Sequence, residues 1–180
     1  MANSKELYCE ALLRMCETQR LGKITVTSLI KETGTARQTF YNNFRDINDL
    51  VSFIPIHYLT TGGVPINAIE NIRHAFVYAQ HHKGFFRQLR DHAGQNNFRD
   101  TIVSWLQEAS YEEHIDPSLP PDEQLLLKLK IDVYLYGIVD VFLQWCKTGL
   151  EWSFEVVLDA IWECSPAFLR KRPLQPAIPS

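Results

Sequence analysis

Apolar residues recur along this chain at every third or fourth position, the rhythm of a helix rather than of a strand. Tyr8, Ala11, Leu12, Met15 and Cys16 fall at i, i+3, i+4, i+7 and i+8, one face of a helix. Val26, Leu29 and Ile30 repeat the pattern, as do Ile69, Ile72, Phe76 and Ala79, and then Phe98, Ile102, Trp105 and Leu106. No strand-like alternation bounded by turn signals competes with it. The spacing therefore predicts an all-α chain of about nine helices and no sheet. With 180 residues, 46% of them apolar and 22% charged, the chain can bury a sizeable core without staples.

Glycine, proline and capping residues punctuate this pattern. Gly22 is expected to stop the first helix, and Thr25 to cap a short one running to about Thr33. Gly34 supplies a tight turn. Thr35 then caps a second short helix over residues 36 to about 44, with Phe40 and Phe44 inward. Asp46 caps the next, which carries Leu50, Phe53 and Ile54, and Pro55 inside it predicts a bend. Gly62-Gly63 breaks the chain, and Pro65 opens a helix to about His82. Further helices are expected over about residues 85–91, 96–112, 122–147 and 153–164. A loop is read at residues 116–121, a stop at Gly149 and a mobile tail over residues 170–180. The expected division is a helix-turn-helix unit over residues 1–50, a helical unit over 51–170 and the tail 171–180.

Several function classes drop out. Cys9, Cys16, Cys146 and Cys164 form no C-x-x-C pair, so neither a zinc ribbon nor a thioredoxin-type motif is present. The first residues, Met1-Ala2-Asn3-Ser4-Lys5-Glu6, do not read as a secretory signal. The most apolar stretch, residues 131–146, carries Asp132 and Asp140 and is too short and too charged to span a membrane. A reduced, cytoplasmic protein with no membrane partner is expected. There is no G-x-S-x-G, P-loop, dinucleotide fingerprint or metal triad, so neither an enzyme nor a cofactor is expected. His74, His81, His82 and His92 cluster in sequence, and His74, Tyr78 and His81 or His82 fall near one helix face. Without H-E-x-x-H or a converging carboxylate pair, they read as solvated or hydrogen-bonded histidines, and no metal is expected.

Function is concentrated between Ile24 and Leu50. Two short helices joined by a glycine turn make a helix-turn-helix. A recognition helix needs one apolar face for its own domain and one polar face for base edges. Phe40 and Phe44 supply the first, and Arg37, Gln38, Thr39 and Asn42 the second. Arginine can fork onto guanine, glutamine onto adenine, and a threonine methyl can meet a thymine methyl. Thr25 and Thr27 open the preceding helix, where amides and hydroxyls suit phosphate oxygens. The net charge of −3 does not advertise nucleic-acid binding. It is uneven, however: residues 1–50 hold seven basic and six acidic side chains, and the other 130 hold 11 and 15.

The run Ile24-Thr25-Val26-Thr27-Ser28-Leu29-Ile30, then Gly34-Thr35-Ala36-Arg37-Gln38-Thr39-Phe40-Tyr41-Asn42-Asn43-Phe44, then Asp46 and Asp49-Leu50, closely resembles the DNA-binding domain of the TetR family of bacterial transcription regulators. The resemblance covers roughly residues 5–55. It implies a homodimer on double-stranded, near-palindromic DNA, with repression the default, and adds Thr35, Tyr41, Asn43 and Arg45 to the expected DNA contacts, Tyr41 through its hydroxyl to a phosphate. Two positions depart from the family pattern: Asn43 stands where histidine is common and Ile47 where lysine is usual. Residues 82–89 resemble the branch that includes the dihydroxyacetone-kinase operon regulators. A protein-interaction co-regulator with weakened DNA binding is the alternative reading.

The resemblance further implies a ligand pocket and a dimer surface in the C-terminal part, and with them a small-molecule effector or a partner protein. Tyr78, Phe86, Trp105 and Tyr134 are pocket candidates, apolar bodies with polar tips. The long helix is apolar over much of its circumference. Leu135, Val139 and Phe142 on it, with Phe154, Leu158, Ile161 and Trp162 on the last helix, are the candidates for a two-fold interface. A buried central helix of a monomer is the alternative. Asp132 and Asp140 need partners if buried, with Arg73, Arg87 or Arg90 as candidates, or else they line an exposed stripe. The two departures predict weak or unusually salt-sensitive DNA binding unless Arg45, Lys23 and Lys31 compensate. A titration at low and raised salt checks this, and nanomolar binding that survives high salt counts against it.

Overall fold

Helical periodicity becomes helix throughout the part of the chain that the computed structural model describes, residues 4–61, 69–91 and 98–169. Among these residues there are nine α-helices, two short 3-10 turns and no strand. The helices are α1 (Ser4–Cys16), α2 (Val26–Thr33), α3 (Arg37–Tyr41), α4 (Ile47–Thr61), α5 (Ile69–His81), α6 (Lys83–Phe86), α7 (Phe98–His114), α8 (Pro121–Lys147) and α9 (Phe154–Cys164). The expected break at Gly62-Gly63, the helix start at Pro65, His92, the helix start at residue 96 and the tail 170–180 lie outside the described residues. α4 runs across the expected division at residue 50.

Four boundaries differ from the sequence reading, each for a local reason. α1 ends at Cys16, not at Gly22, because its buried series ends there and residues 17–20 are exposed. The chain then turns, with the N–H of Gln19 on the Met15 carbonyl, and forms a 3-10 turn at Leu21–Lys23. α3 stops at Tyr41 rather than near residue 44, because the Asn43 amide nitrogen donates to the Thr39 carbonyl at 2.7 Å and closes the last turn. Thr35 does not cap α3: the N-cap position is Ala36 and no side chain bonds there. α6 is confined to Lys83–Phe86, followed by turn rather than helix to residue 91. Other signals act as read. Thr25 and Ser28 form a reciprocal capping box on α2. Asp46 accepts the Asp49 N–H at the start of α4.

The α8–α9 corner is set by a helix stop of unusual backbone geometry. Gly149 and Leu150 both take positive φ, 80° and 62°. The Leu150 N–H reaches back to the Trp145 carbonyl and the Gly149 N–H to that of Cys146, so the last carbonyls of α8 are satisfied. Buried Leu150 and fully buried Trp145 close the corner, with the Trp145 indole N–H on the Trp152 carbonyl at 3.0 Å. Burial of side chains this large stabilises by about 1.5–3 kcal/mol each, which outweighs the cost of one left-handed leucine.

α7 lies along α8, and polar ties between them replace the arginine partners expected for the aspartates. Arg99 forks onto Asp140, both N–O distances 2.8 Å, and this bonding holds the Asp140 carboxyl below the usual carboxylate range. Asp132 accepts from the Tyr111 hydroxyl and, at 2.7 Å, from Gln107. Arg73 instead pairs with Glu155, and Arg90 with Gln144. A helix face turned to a neighbour 21 to 41 residues away along the chain carries no sequence signal of which residue will meet it.

α6 approaches the N-terminal helices closely. Gly84 of α6 lies against the end of α1, where an added Cβ would sit 2.7 Å from the Cys16 carbonyl oxygen. One turn on, the Gln88 side chain accepts the buried Leu21 N–H at 2.7 Å and donates to the Gly84 carbonyl. Gly84→Ala therefore is expected to lose about 1–3 kcal/mol in urea unfolding. Gly137→Ala, in open space within α8 of a single copy, should leave the helical content unchanged and the single copy equally stable or more stable by up to about 1 kcal/mol.

Candidate nucleic-acid interface

α3 is five residues long and presents two opposite faces. Its inner face is Phe40, fully buried, with Phe44 just beyond the helix end. Tyr8 of α1 meets both rings edge-on, at centroid distances of 5.2 and 6.2 Å. The Tyr8 hydroxyl is bonded to the Thr35 hydroxyl at 2.6 Å, and Thr35 in turn to Thr33 at 2.9 Å. Thr35 thus faces α1 and the end of α2 and anchors the turn. That turn bends at Gly34, whose φ of 66° is the left-handed conformation glycine accepts most readily. Phe53 of α4 and the Lys5 ammonium complete the support beneath Phe44.

The outer face is polar and open. Arg37, Gln38, Tyr41 and Asn42 are exposed, and Thr39 is half-buried. Arg37 lies over the Tyr41 ring and donates to its hydroxyl at 3.2 Å. Gln38 donates to Asn42 at 2.9 Å. These i,i+4 pairs hold the donors in register on one exposed face. Thr27 is exposed, while the Thr25 oxygen takes the Ser28 N–H as a cap. Asn43 is half-buried, its amide nitrogen on the Thr39 carbonyl. Arg45 is exposed and loosely paired with Asp49 at 3.7 Å. Lys23 and Lys31 are exposed too. Lys5, which sequence reasoning passed over, underpins the motif through its contacts with Phe44 and Phe53. Only a cation three residues before the Tyr8–Cys16 apolar series hinted at it.

Two concave features lie in the C-terminal helices. The first is a cavity of about 100 Å³ lined from α4 through α9, with Pro55, Tyr58, Phe76, Tyr78, Phe86 and Phe142 among its walls. The expected Tyr78 and Phe86 are there. Trp105 is not, because it packs, half-buried, against the core, and Tyr134 faces the second feature instead. Tyr58 and Tyr78 stack at 3.8 Å, and burial, with Cys9 and Tyr58 nearby, pushes the Tyr78 phenol up to about 12. His82 meets the Tyr78 ring edge at 4.5 Å, and its pKa is lowered by burial, against the pull of Glu17. His74 and His81 are exposed. Among the described residues no three His, Cys, Asp or Glu side chains gather as a metal site.

The second feature is a groove of about 540 Å³ between α8 and α9, with Leu129, Val133, Gly137, Val141, Ala160 and Cys164 along it. Most of the residues read from sequence as a surface for a second copy are elsewhere. Leu135, Val139, Leu158 and Ile161 are buried within the same chain. Phe142, Phe154 and Trp162 are half-buried, Phe142 between Phe76 and Trp145 and Phe154 beside Arg73. A helix apolar on nearly every side has no periodic mark of which side its own chain covers. The uncovered side is Leu126, Leu129 and Val133, the last 75% exposed.

No protein-family model matches the sequence, and no curated protein does. Solved structures do match, and they define the fold as that of TetR-type regulators. The dihydroxyacetone kinase operon activator DhaS superposes with a TM-score of 0.60 at 15% identity, over 91% of this chain and 96% of that one. The TetR family repressor AlkX from Dietzia sp. strain DQ12-45-1b, implicated in biodegradation of n-alkanes, superposes with a TM-score of 0.54 at 13% identity, over 93% and 96%. Among the described residues no helix is long and apolar enough to cross a membrane.

Proposed function

We propose that this protein is a DNA-binding transcription regulator that acts as a homodimer on a near-palindromic site and is controlled through its C-terminal helices. The observation that carries the reading is α3 itself, a short helix with Phe40 locked beneath it and Arg37, Gln38, Tyr41 and Asn42 open above. Arg37 and Gln38 would read base edges. Tyr41, Thr27, Lys23 and Arg45 would meet phosphates. The likeness to TetR-type folds supports this reading.

Asn43 and Ile47 bear on affinity rather than on the reading. The Asn43 amide is committed to the end of α3, and Ile47 is half-buried and uncharged. Each missing phosphate contact takes about 0.9 from the salt slope. Fewer contacts therefore make binding weaker and its salt dependence shallower, which corrects the expectation of unusual salt sensitivity.

A second copy would cover the groove between α8 and α9. Leu126, Leu129, Val133 and Val141 of α8 with Val156, Ala160 and Cys164 of α9 form an exposed apolar surface. Two such helix pairs would make a four-helix interface on a two-fold axis and set two copies of α3 about 34 Å apart, one DNA turn.

Selection from a random DNA pool at low salt tests the proposal. A near-palindrome should be enriched, and Arg37→Ala should weaken binding to it about tenfold to a hundredfold. No enrichment would favour the co-regulator reading. Val133→Arg should leave the helical content unchanged and give a monomer in analytical ultracentrifugation. A variant still dimeric would place the interface on another face.

A further inference from the structure

The cavity beside α4 has a chemistry of its own. Its lining, among the described residues, is hydrocarbon and aromatic ring apart from the phenols of Tyr58 and Tyr78, and no charged side chain reaches it. A buried carboxylate or phosphate would meet no counter-charge there, and burying an unpaired ion is prohibitive. A polyol fares little better. Two phenols cannot partner several hydroxyls, and each one left unpaired weakens binding about tenfold or more. What the walls suit is ring or chain: Phe76, Phe86, Phe98 and Phe142 offer edges and faces. About 100 Å³ is somewhat below the roughly 150 Å³ that admits benzene elsewhere, so the ligand must be small or open the site slightly.

We propose that this cavity binds a small, uncharged, predominantly hydrocarbon molecule, aromatic or short alkyl, with at most one hydrogen-bonding group placed at Tyr58 or Tyr78. The inference rests on the regulator reading only for its consequence, since it names the class of effector. Pro55, Tyr58 and Leu59 sit at the far end of α4, whose first turns pack beneath the helix-turn-helix through Leu50 and Phe53. A ligand on that wall touches the same helix that supports α3.

Toluene, benzyl alcohol, benzoate and glycerol are the probes, titrated into the full-length protein without DNA at pH 7 by calorimetry and thermal unfolding. Toluene and benzyl alcohol should bind and raise the unfolding temperature. Benzoate, nearly the size of benzyl alcohol but charged, should bind at least a hundredfold more weakly, and glycerol not measurably. Ala75→Phe fills the cavity and should abolish toluene binding. Ile72→Phe, at a half-buried lining position, serves if the first variant does not fold. The proposal falls if neither neutral probe binds at millimolar concentration, if benzoate matches benzyl alcohol, or if a folded, filled variant keeps its affinity for toluene. None of these results touches the DNA selection, and a failed selection would leave the binding data standing.

Discussion

The N-terminal helices are organised around one residue, Tyr8. Its ring seats Phe40 and Phe44, and its hydroxyl reaches Thr35 at the start of α3. A five-residue helix is too short to hold itself in water, where isolated helices below about 12 residues are marginal. α3 exists because its inner face is buried and its approach is tied down from α1. The outer face can then be largely polar at little cost to the fold, so Arg37, Gln38 and Asn42 stay exposed.

The coupling between this unit and the remainder runs through two contacts of different character. At α6 it is steric and polar, with Gly84 against the Cys16 carbonyl and Gln88 on the Leu21 N–H. Along α4 it is continuous backbone, with its first turns under Phe44 and its last around the cavity. Pro55, the first of the α4 residues on the cavity wall, cannot donate to the Val51 carbonyl, so the ladder lacks one bond where the helix reaches the cavity. A helix arranged in this way can transmit a displacement at one end to the other.

Much of the fold was legible because helices announce themselves by local means. The capping box of Thr25 and Ser28, the Asp46 cap, the left-handed Gly34 and the Gly149 stop all act within a few residues of where they are written. The two faces of α3 were legible for the same reason, since its inward and outward residues follow the helical period. Thr35 shows where this stops. Its position before a helix makes it a natural cap, yet a tyrosine 27 residues away claims its hydroxyl. Asn43 shows the converse: a residue read for DNA contact closes the helix that would make it.

By itself, the sequence determined that the described residues hold helices and no strand, where most of these helices begin and end, and which short helix turns a polar face outward. These follow from hydrogen-bond and burial patterns that close within one or two turns. Tertiary structure alone decided which sides of α8 are core and which are surface, so that Leu135 and Val139 went inward and Leu129 and Val133 outward. It also decided that Asp140 would meet Arg99, that Asp132 would meet Tyr111, and that Trp105 would miss the cavity that Tyr78 and Phe86 line. Such partners depend on the angle at which whole helices cross. That angle is set by the packing of every side chain between them, and no local pattern along one helix contains it.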